Sequence, residues 1–118
     1  MIRFINCIRR KPELSDYEFR EYWNSQEFDS LIQRVANSVG ALSFDKRLTL
    51  IIPENDWVTL IRGSEEPYDA TLEYFLENAH DFEESYGTDE FQQISKAMLT
   101  YQQQFVDLPN SCGFFTEG

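Results

Sequence analysis

The chain has little of what most catalytic centres are built from. Its 118 residues include one histidine, His80, and two cysteines, Cys7 and Cys112. A structural or catalytic metal site needs three or four such ligands at close spacing, so no metal is expected. No G-x-G-x-x-G, no G-x-x-x-x-G-K-[ST] and no G-x-S-x-G occurs, which removes the dinucleotide, P-loop and serine-hydrolase signatures. No cofactor is expected. The cysteines form no C-x-x-C pair. No apolar run approaches the length of a membrane span, so no membrane partner is expected. Met1-Ile2-Arg3-Phe4 carries no signal-peptide pattern, and the expectation is a cytoplasmic protein. Positive charge is scarce too. Ten basic residues face 21 acidic ones, for a net charge of −11. The deficit is lopsided: residues 1–47 hold eight basic and seven acidic residues, residues 48–118 two and fourteen. Such a surface repels phosphate backbones, so nucleic acid is not an expected partner.

What is plentiful is apolar and aromatic side chain. Ten Phe, six Tyr and two Trp stand in a chain that is 42% apolar. That is enough for one domain with a real core over residues 1–118. The two cysteines fall in expected strands, where a free thiol behaves as a small buried hydrophobe.

Met1–Arg9 reads as a strand with Ile2, Phe4, Asn6 and Ile8 on one face and Arg3, Ile5, Cys7 and Arg9 on the other. Ser15 with Glu18 forms a capping box and starts a helix running to about Val39. Phe19, Tyr22 and Trp23 mark one stripe; Phe28, Leu31, Ile32, Val35 and Val39 mark another, nearly half a turn out of phase. One straight helix cannot bury both, so a break is expected near Asn24–Glu27. Asn24 with Glu27 at the third position offers a cap for the second segment. Gly40 ends it. Ala41–Ile52 alternates as a strand, Pro53–Asp56 as a turn, and Trp57–Ile61 as a short extra strand or hairpin arm. Tyr68–Leu76 is the next main strand and His80–Tyr86 a short helix. Thr88 caps a helix carrying Phe91, Ile94, Met98, Tyr101 and Phe105. Cys112–Thr116 is the last strand.

The order is βαββαβ, that of an α+β, ferredoxin-like antiparallel sheet with helices on one face. The same order builds RNA-binding domains, against which the charge argues. Helices on one side leave the other bare. Ile5 and Cys7 opposite Phe4 and Ile8 make the first strand apolar on both sides. A second copy of the same sheet is the simplest cover, so a homodimer is expected. The first and last strands would then be neighbours, which leaves a Cys7–Cys112 disulfide open.

Polar residues expected on the helix-covered side are the candidate site. Asn6 interrupts an apolar face, and a buried amide needs partners, from a ligand or from the core. Asp69 and Glu73 lie four apart on one strand and share a face. In an apolar pocket such a carboxylate moves protons near neutral pH. On a wet face it would instead pair with Arg3, Arg9 or Arg47. The aromatics of the first helix either line a pocket or are core. His80 falls at a polar helix start with no orienting partner.

The run Arg10-Lys11-Pro12-Glu13-Leu14-Ser15-Asp16-Tyr17-Glu18-Phe19-Arg20-Glu21-Tyr22-Trp23, after a strand, resembles the start of the EthD family. Tyr68–Phe75 is similar to that family's D-G-x-x-E-x-W-F strand. Asp89-Glu90-Phe91 and Phe105-Val106-Asp107 resemble its second-half helix and the turn after it. The resemblance implies a dimeric α+β barrel. It also implies a cofactor-independent enzyme acting on a small hydrophobic molecule, aromatic or polyketide-like. Glu73, Asp69 or Glu27 would then move protons, Asn6 and Tyr22 would hold oxygens, and Trp23, Phe28 and Tyr74 would pack on the apolar body. There is a departure. Where the family usually has a histidine four residues after the tryptophan, this chain has Glu27, which is either a substitute base or a helix cap. The second reading is a non-catalytic binder on the same scaffold. A cavity with an ionisable wall would favour the enzyme; a cavity filled by the chain's own aromatics, the binder.

Overall fold

In the computed structural model, which describes residues 1–118, the central strand β1 is Ile2–Ile8. It pairs antiparallel with β3 (Ala70–Leu76) on one side and β4 (Cys112–Glu117) on the other. Strand β2 (Ser43–Leu48) pairs with β3, which gives the order β2-β3-β1-β4. This is an α+β, ferredoxin-like sheet, antiparallel throughout. Five helices accompany it: α1 (Asp16–Trp23), α2 (Gln26–Val39), α3 (Pro53–Arg62), α4 (Ala79–Tyr86) and α5 (Asp89–Gln102). No helix is long and apolar enough to cross a membrane.

The first helical stretch is broken where its two stripes fall out of phase. Ser15 and Glu18 exchange both bonds of a capping box, which starts α1. Asn24 ends α1 and Ser25 caps α2, its Oγ accepting from the Phe28 N–H at 3.1 Å. The cap is therefore one residue later than the sequence pattern suggested. Phe28, not Glu27, holds the third position, and Glu27 is an exposed first-turn residue. The Tyr101 hydroxyl of α5 locks the break by donating to the Tyr22 carbonyl at 2.9 Å and meeting Ser25 Oγ. Gly40 closes α2 at φ +69°, a left-handed conformation that costs glycine nothing.

Below this break lies the aromatic core. Phe19, Trp23, Phe28 and Phe105 are all nearly inaccessible. Their rings meet in pairs, Phe19 on Phe105 at 5.4 Å and Trp23 on Phe28 at 5.2 Å. Burial on this scale contributes about 2–3 kcal/mol per large side chain.

The segment after β2 departs from the sequence expectation. The pattern predicts a turn followed by a short extra strand or hairpin arm, and the segment is helix α3. Pro53 has the φ a first helical turn wants, and Gly63 ends the helix at φ +63°. The apolar run Trp57–Ile61 suggested a strand by composition, but the flanking Pro and Gly decide the element. No residue of α3 is buried.

Candidate functional site

Alternation along β1 and β3 sorts every strand residue to one of two faces. Phe4, Asn6, Leu72, Tyr74 and Leu76 face the helices. Arg3, Ile5, Cys7, Thr71, Glu73 and Phe75 face away from them.

On the helix side a cavity of about 320 Å³ lies between the sheet and α2, α4 and α5. That volume is at the small end of ligand pockets. Leu72, Val35, Val39 and Met98 form its apolar walls. One end is closed by rings, with Phe82 packed 5.6 Å from Phe4 and 5.7 Å from Phe91. Leu99, Ser95 and Gln102 of α5 complete the lining. No Asp, Glu, Lys, Arg or His contributes to it.

Two polar side chains of the sheet stand in this wall. Asn6 donates from Nδ2 to the carbonyl of its cross-strand partner Leu72 at 3.2 Å. Its Oδ1 remains an acceptor. Residue 113, opposite Asn6 on β4, is glycine; a Cβ there would lie 3.2 Å from Asn6 Oδ1 and from the Phe4 ring and would push these side chains back by a few tenths of an ångström. Tyr74 is 4% exposed, and burial alone holds its phenol well above the ordinary tyrosine range. The hydroxyl makes no hydrogen bond within the chain and is open to the cavity, where water or a ligand can reach it. It stays protonated at neutral pH and is a free donor.

The other candidate residues lie elsewhere. Trp23 and Phe28 are core, and Tyr22 stacks on Phe105 at 5.3 Å. Tyr22 and Glu27 border only a shallow groove beside Tyr101. Glu73 is on the face opposite Asn6, not beside it. Its carboxylate is 12% exposed and sits 3.7 Å from Arg3 and 3.8 Å from Arg47. Asp69 lies just before β3, accepts from the Arg10 N–H at 2.7 Å and closes the end of β1. It borders a separate polar hollow with Arg10, Asp16, Arg20, Thr49 and Tyr68. Asp56 and Glu66 also line it; Arg10 there pairs with Asp16 and Asp69, while Arg20 donates to the Thr49 carbonyl at 2.9 Å. His80 is exposed and meets only Glu84, one turn along.

The cysteines face each other in register across β1 and β4 as free thiols. Cys7 is half-buried, and burial, with Cys112 beside it, pushes its thiol up. Cys112 is exposed, contrary to the expectation of two buried thiols. Its Sγ lies 3.5 Å from the Tyr68 hydroxyl.

Sequence reasoning passed over Phe82, Phe91, Met98 and Leu99 as site residues. Phe91 and Met98 were visible as core positions of α5. That the stripe stops short of filling the space under it depends on how α4 and α5 pack together, which periodicity does not carry.

The sheet order and the helices on one face define a ferredoxin-like α+β protein. The chain is similar in structure to a dimeric protein of unknown function and ferredoxin-like fold from Bacteroides fragilis NCTC 9343. That match has 12% identity and a TM-score of 0.61 over 99% of this chain and 95% of that one. It is also similar to At3g17210 from Arabidopsis thaliana, at 15% identity and a TM-score of 0.56 over 100% and 95% of the two chains. HapK from Hahella chejuensis matches at 13% identity and a TM-score of 0.51 over 100% and 94%. No protein-family model matches the chain, and no curated protein matches its sequence.

Proposed function

We propose that this protein binds a small, uncharged, mostly apolar molecule bearing a hydrogen-bonding oxygen, in the cavity between the sheet and α2, α4 and α5. One observation carries the reading: Tyr74, a largely buried and protonated phenol, opens its hydroxyl to a mostly apolar cavity and makes no hydrogen bond within the chain. A ligand oxygen would take that donor, and Asn6 Oδ1 would accept from a ligand hydroxyl. The resemblance to EthD proteins supports a small hydrophobic ligand. Carboxylate proton transfer has no support from this geometry, because Glu73, Asp69 and Glu27 all lie outside the cavity. The non-catalytic binder is therefore the better of the two readings.

The reading includes a homodimer joined through the face that the helices leave bare. Ile5 at its centre, with Phe75 and Phe114, favours that, as does the dimeric neighbour. Charge agrees. On a chain of net charge −11, this face is balanced, with Arg3 and Arg47 against Glu73 and Asp45.

The test uses 2-naphthol, an uncharged aromatic with one hydroxyl, followed by its fluorescence. Tyr74→Phe should weaken binding about 3–10-fold, the worth of one neutral hydrogen bond, with the melting temperature unchanged or higher. Leu99→Trp should abolish binding by plugging the cavity mouth. Equal binding by wild type, Tyr74→Phe and Leu99→Trp would place the ligand elsewhere and end the reading.

A further inference from the structure

The two thiols play no part in the cavity, and the fold places them for chemistry of their own. Cys7 and Cys112 are register partners in the antiparallel pair β1–β4 and share its open face. Directly opposed residues of such a pair have Cα atoms about 4.5–5.5 Å apart, inside the span of about 4.4–6.8 Å that a disulfide bridges. Both thiols are free. Burial, and then the presence of Cys112, raise the Cys7 thiol, so the side chains as well as the backbones are close. Their surroundings differ. Cys112 is exposed, at the first residue of an edge strand, while Cys7 is half-buried on a central one. The Tyr68 hydroxyl lies 3.5 Å from Cys112 Sγ, where it can donate to a thiolate. Arg9 holds Tyr68 there: its guanidinium lies 4.4 Å from the ring centre and donates to the Glu66 and Pro67 carbonyls.

We infer that Cys7 and Cys112 form a dithiol site that exchanges with small-molecule disulfides and closes into a bridge between β1 and β4 of one chain. Exposure sets the order of events. The Cys112 thiolate attacks one sulfur of the small disulfide, whose S–S bond breaks, and the first small thiolate leaves. Cys7, deprotonated, then attacks Cys112 Sγ in the mixed disulfide and expels the second. The two protons lost by the cysteines end on the two released thiols. Two protein thiols are oxidised, one small disulfide is reduced, and no other oxidant enters. The raised Cys7 thiol suits the second step, in which the attack is intramolecular and proximity makes up for a small thiolate fraction. The site is separate from the cavity, on the opposite face of the sheet, and lies at the far end of β1 from Ile2. Its bridge would tie an edge strand to the middle of the sheet and close nearly the whole chain into one loop, which restricts the unfolded chain.

The probe is bis(2-hydroxyethyl) disulfide, uncharged so that the net charge of −11 does not repel it. Folded, fully reduced protein is treated at pH 8 and followed by intact mass, by alkylation with N-ethylmaleimide and on non-reducing gels. Wild type should lose two hydrogens, retain no hydroxyethylthio group, become inert to the alkylating agent and run as a single chain. Dithiothreitol should restore both thiols. The melting temperature of the oxidised protein should rise by roughly 10 °C. Cys7→Ser should stop at the mixed disulfide, with one hydroxyethylthio group on Cys112. Cys112→Ser should react at least about 10-fold more slowly than Cys7→Ser, because its remaining thiol is half-buried. A wild type that retains the adduct, or that links two chains on the gel, would show that the thiols do not meet within one chain and would overturn the bridge. Equal rates for Cys112→Ser and Cys7→Ser would overturn the assigned order. A bridged protein that melts no higher than the reduced one would overturn the tie between β1 and β4. Folded wild type that does not react, while the protein in urea does, would overturn the site altogether.

Discussion

Lys46 is the residue whose removal tests the packing argument most directly. It occupies the helix-facing row of β2 between Phe44 and Leu48, where alternation calls for an apolar side chain. Its ammonium donates to the Trp23 carbonyl at 2.8 Å, at the C-terminal end of α1, and meets Asp29 in the first turn of α2. It also lies 5.7 Å from the Trp23 ring centre and 5.6 Å from that of Phe28. Lys46→Met keeps the stem and removes the charge. The hydrogen bond from a charged donor to a carbonyl at a helix end is worth about 1.5–3 kcal/mol. The ring contacts add about 0.5–1 kcal/mol. The pair with half-exposed Asp29 adds less than about 1 kcal/mol. Against these stands the cost, now removed, of holding an ammonium that is 17% exposed. A net loss of about 2–3 kcal/mol follows, since such terms overlap. With an unfolding entropy of about 2.1 cal/mol/K per residue, this lowers the melting temperature by roughly 10 °C. Urea and thermal melts followed by circular dichroism measure it. Asp29→Asn is the control and should cost under about 1 kcal/mol, less at high salt. A Lys46→Met protein within 0.5 kcal/mol of wild type would refute the reasoning.

Tyr101→Phe should lower stability by about 1–2 kcal/mol, because its hydroxyl serves both Tyr22 O and Ser25 Oγ at the α1–α2 break; an unchanged urea midpoint would mean the break holds without it. Glu27→Gln should change stability by no more than about 0.5 kcal/mol, as expected of an exposed residue, and leave 2-naphthol affinity untouched; lost binding would show that Glu27 reaches the ligand. Glu18 carries a pH dependence. The Ser15 backbone N–H, then the Ser15 hydroxyl, hold its carboxyl below the usual range. A lowered folded pKa stabilises above the unfolded value of about 4.3 and is lost as pH falls through the folded one. The advantage of wild type over Glu18→Gln in thermal melts should therefore be flat above about pH 5.5 and shrink steadily below it; a pH-independent gap would contradict the cap.

Much of the fold was legible because its signals are local. The Ser15–Glu18 box, Gly40 and Thr88 announce helix ends by their own hydrogen bonds and dihedrals. The phase slip between Trp23 and Phe28 announced the break, though Ser25 takes the cap that Asn24 seemed to offer. Helix α3 was missed because its apolar run has no period that packing has selected: nothing in the same chain buries it. The site was half legible. Alternation put Asn6 on the face of Phe4 and Ile8. The phase of β3 could have been read from Leu72 and Leu76, which place Tyr74 with the helices and Glu73 away from them. Phe75 obscured it by making the bare face look apolar as well. That Trp23 and Phe28 are core depends on Phe105 and Tyr101, some eighty residues away, and no local pattern carries that distance.

The two faces of β1 and β3 divide the chemistry of the molecule. On the helix side the one strand cation, Lys46, is taken up at the α1–α2 junction, so no charge is left near the cavity. On the open side Glu73 lies between Arg3 and Arg47, whose charges oppose its own at 3.7 and 3.8 Å without a hydrogen bond to its Oε2. A ligand carboxylate or phosphate in the cavity would lose its hydration with no countercharge to replace it, at a cost of several kcal/mol. A net charge of −11 adds a repulsive field on approach. Neutral donors and acceptors meet no such cost, and Tyr74 and Asn6 supply one of each. The charged strand residues Arg3, Arg47, Asp45 and Glu73 are thus confined to the open face, and the cavity lining is free of charge.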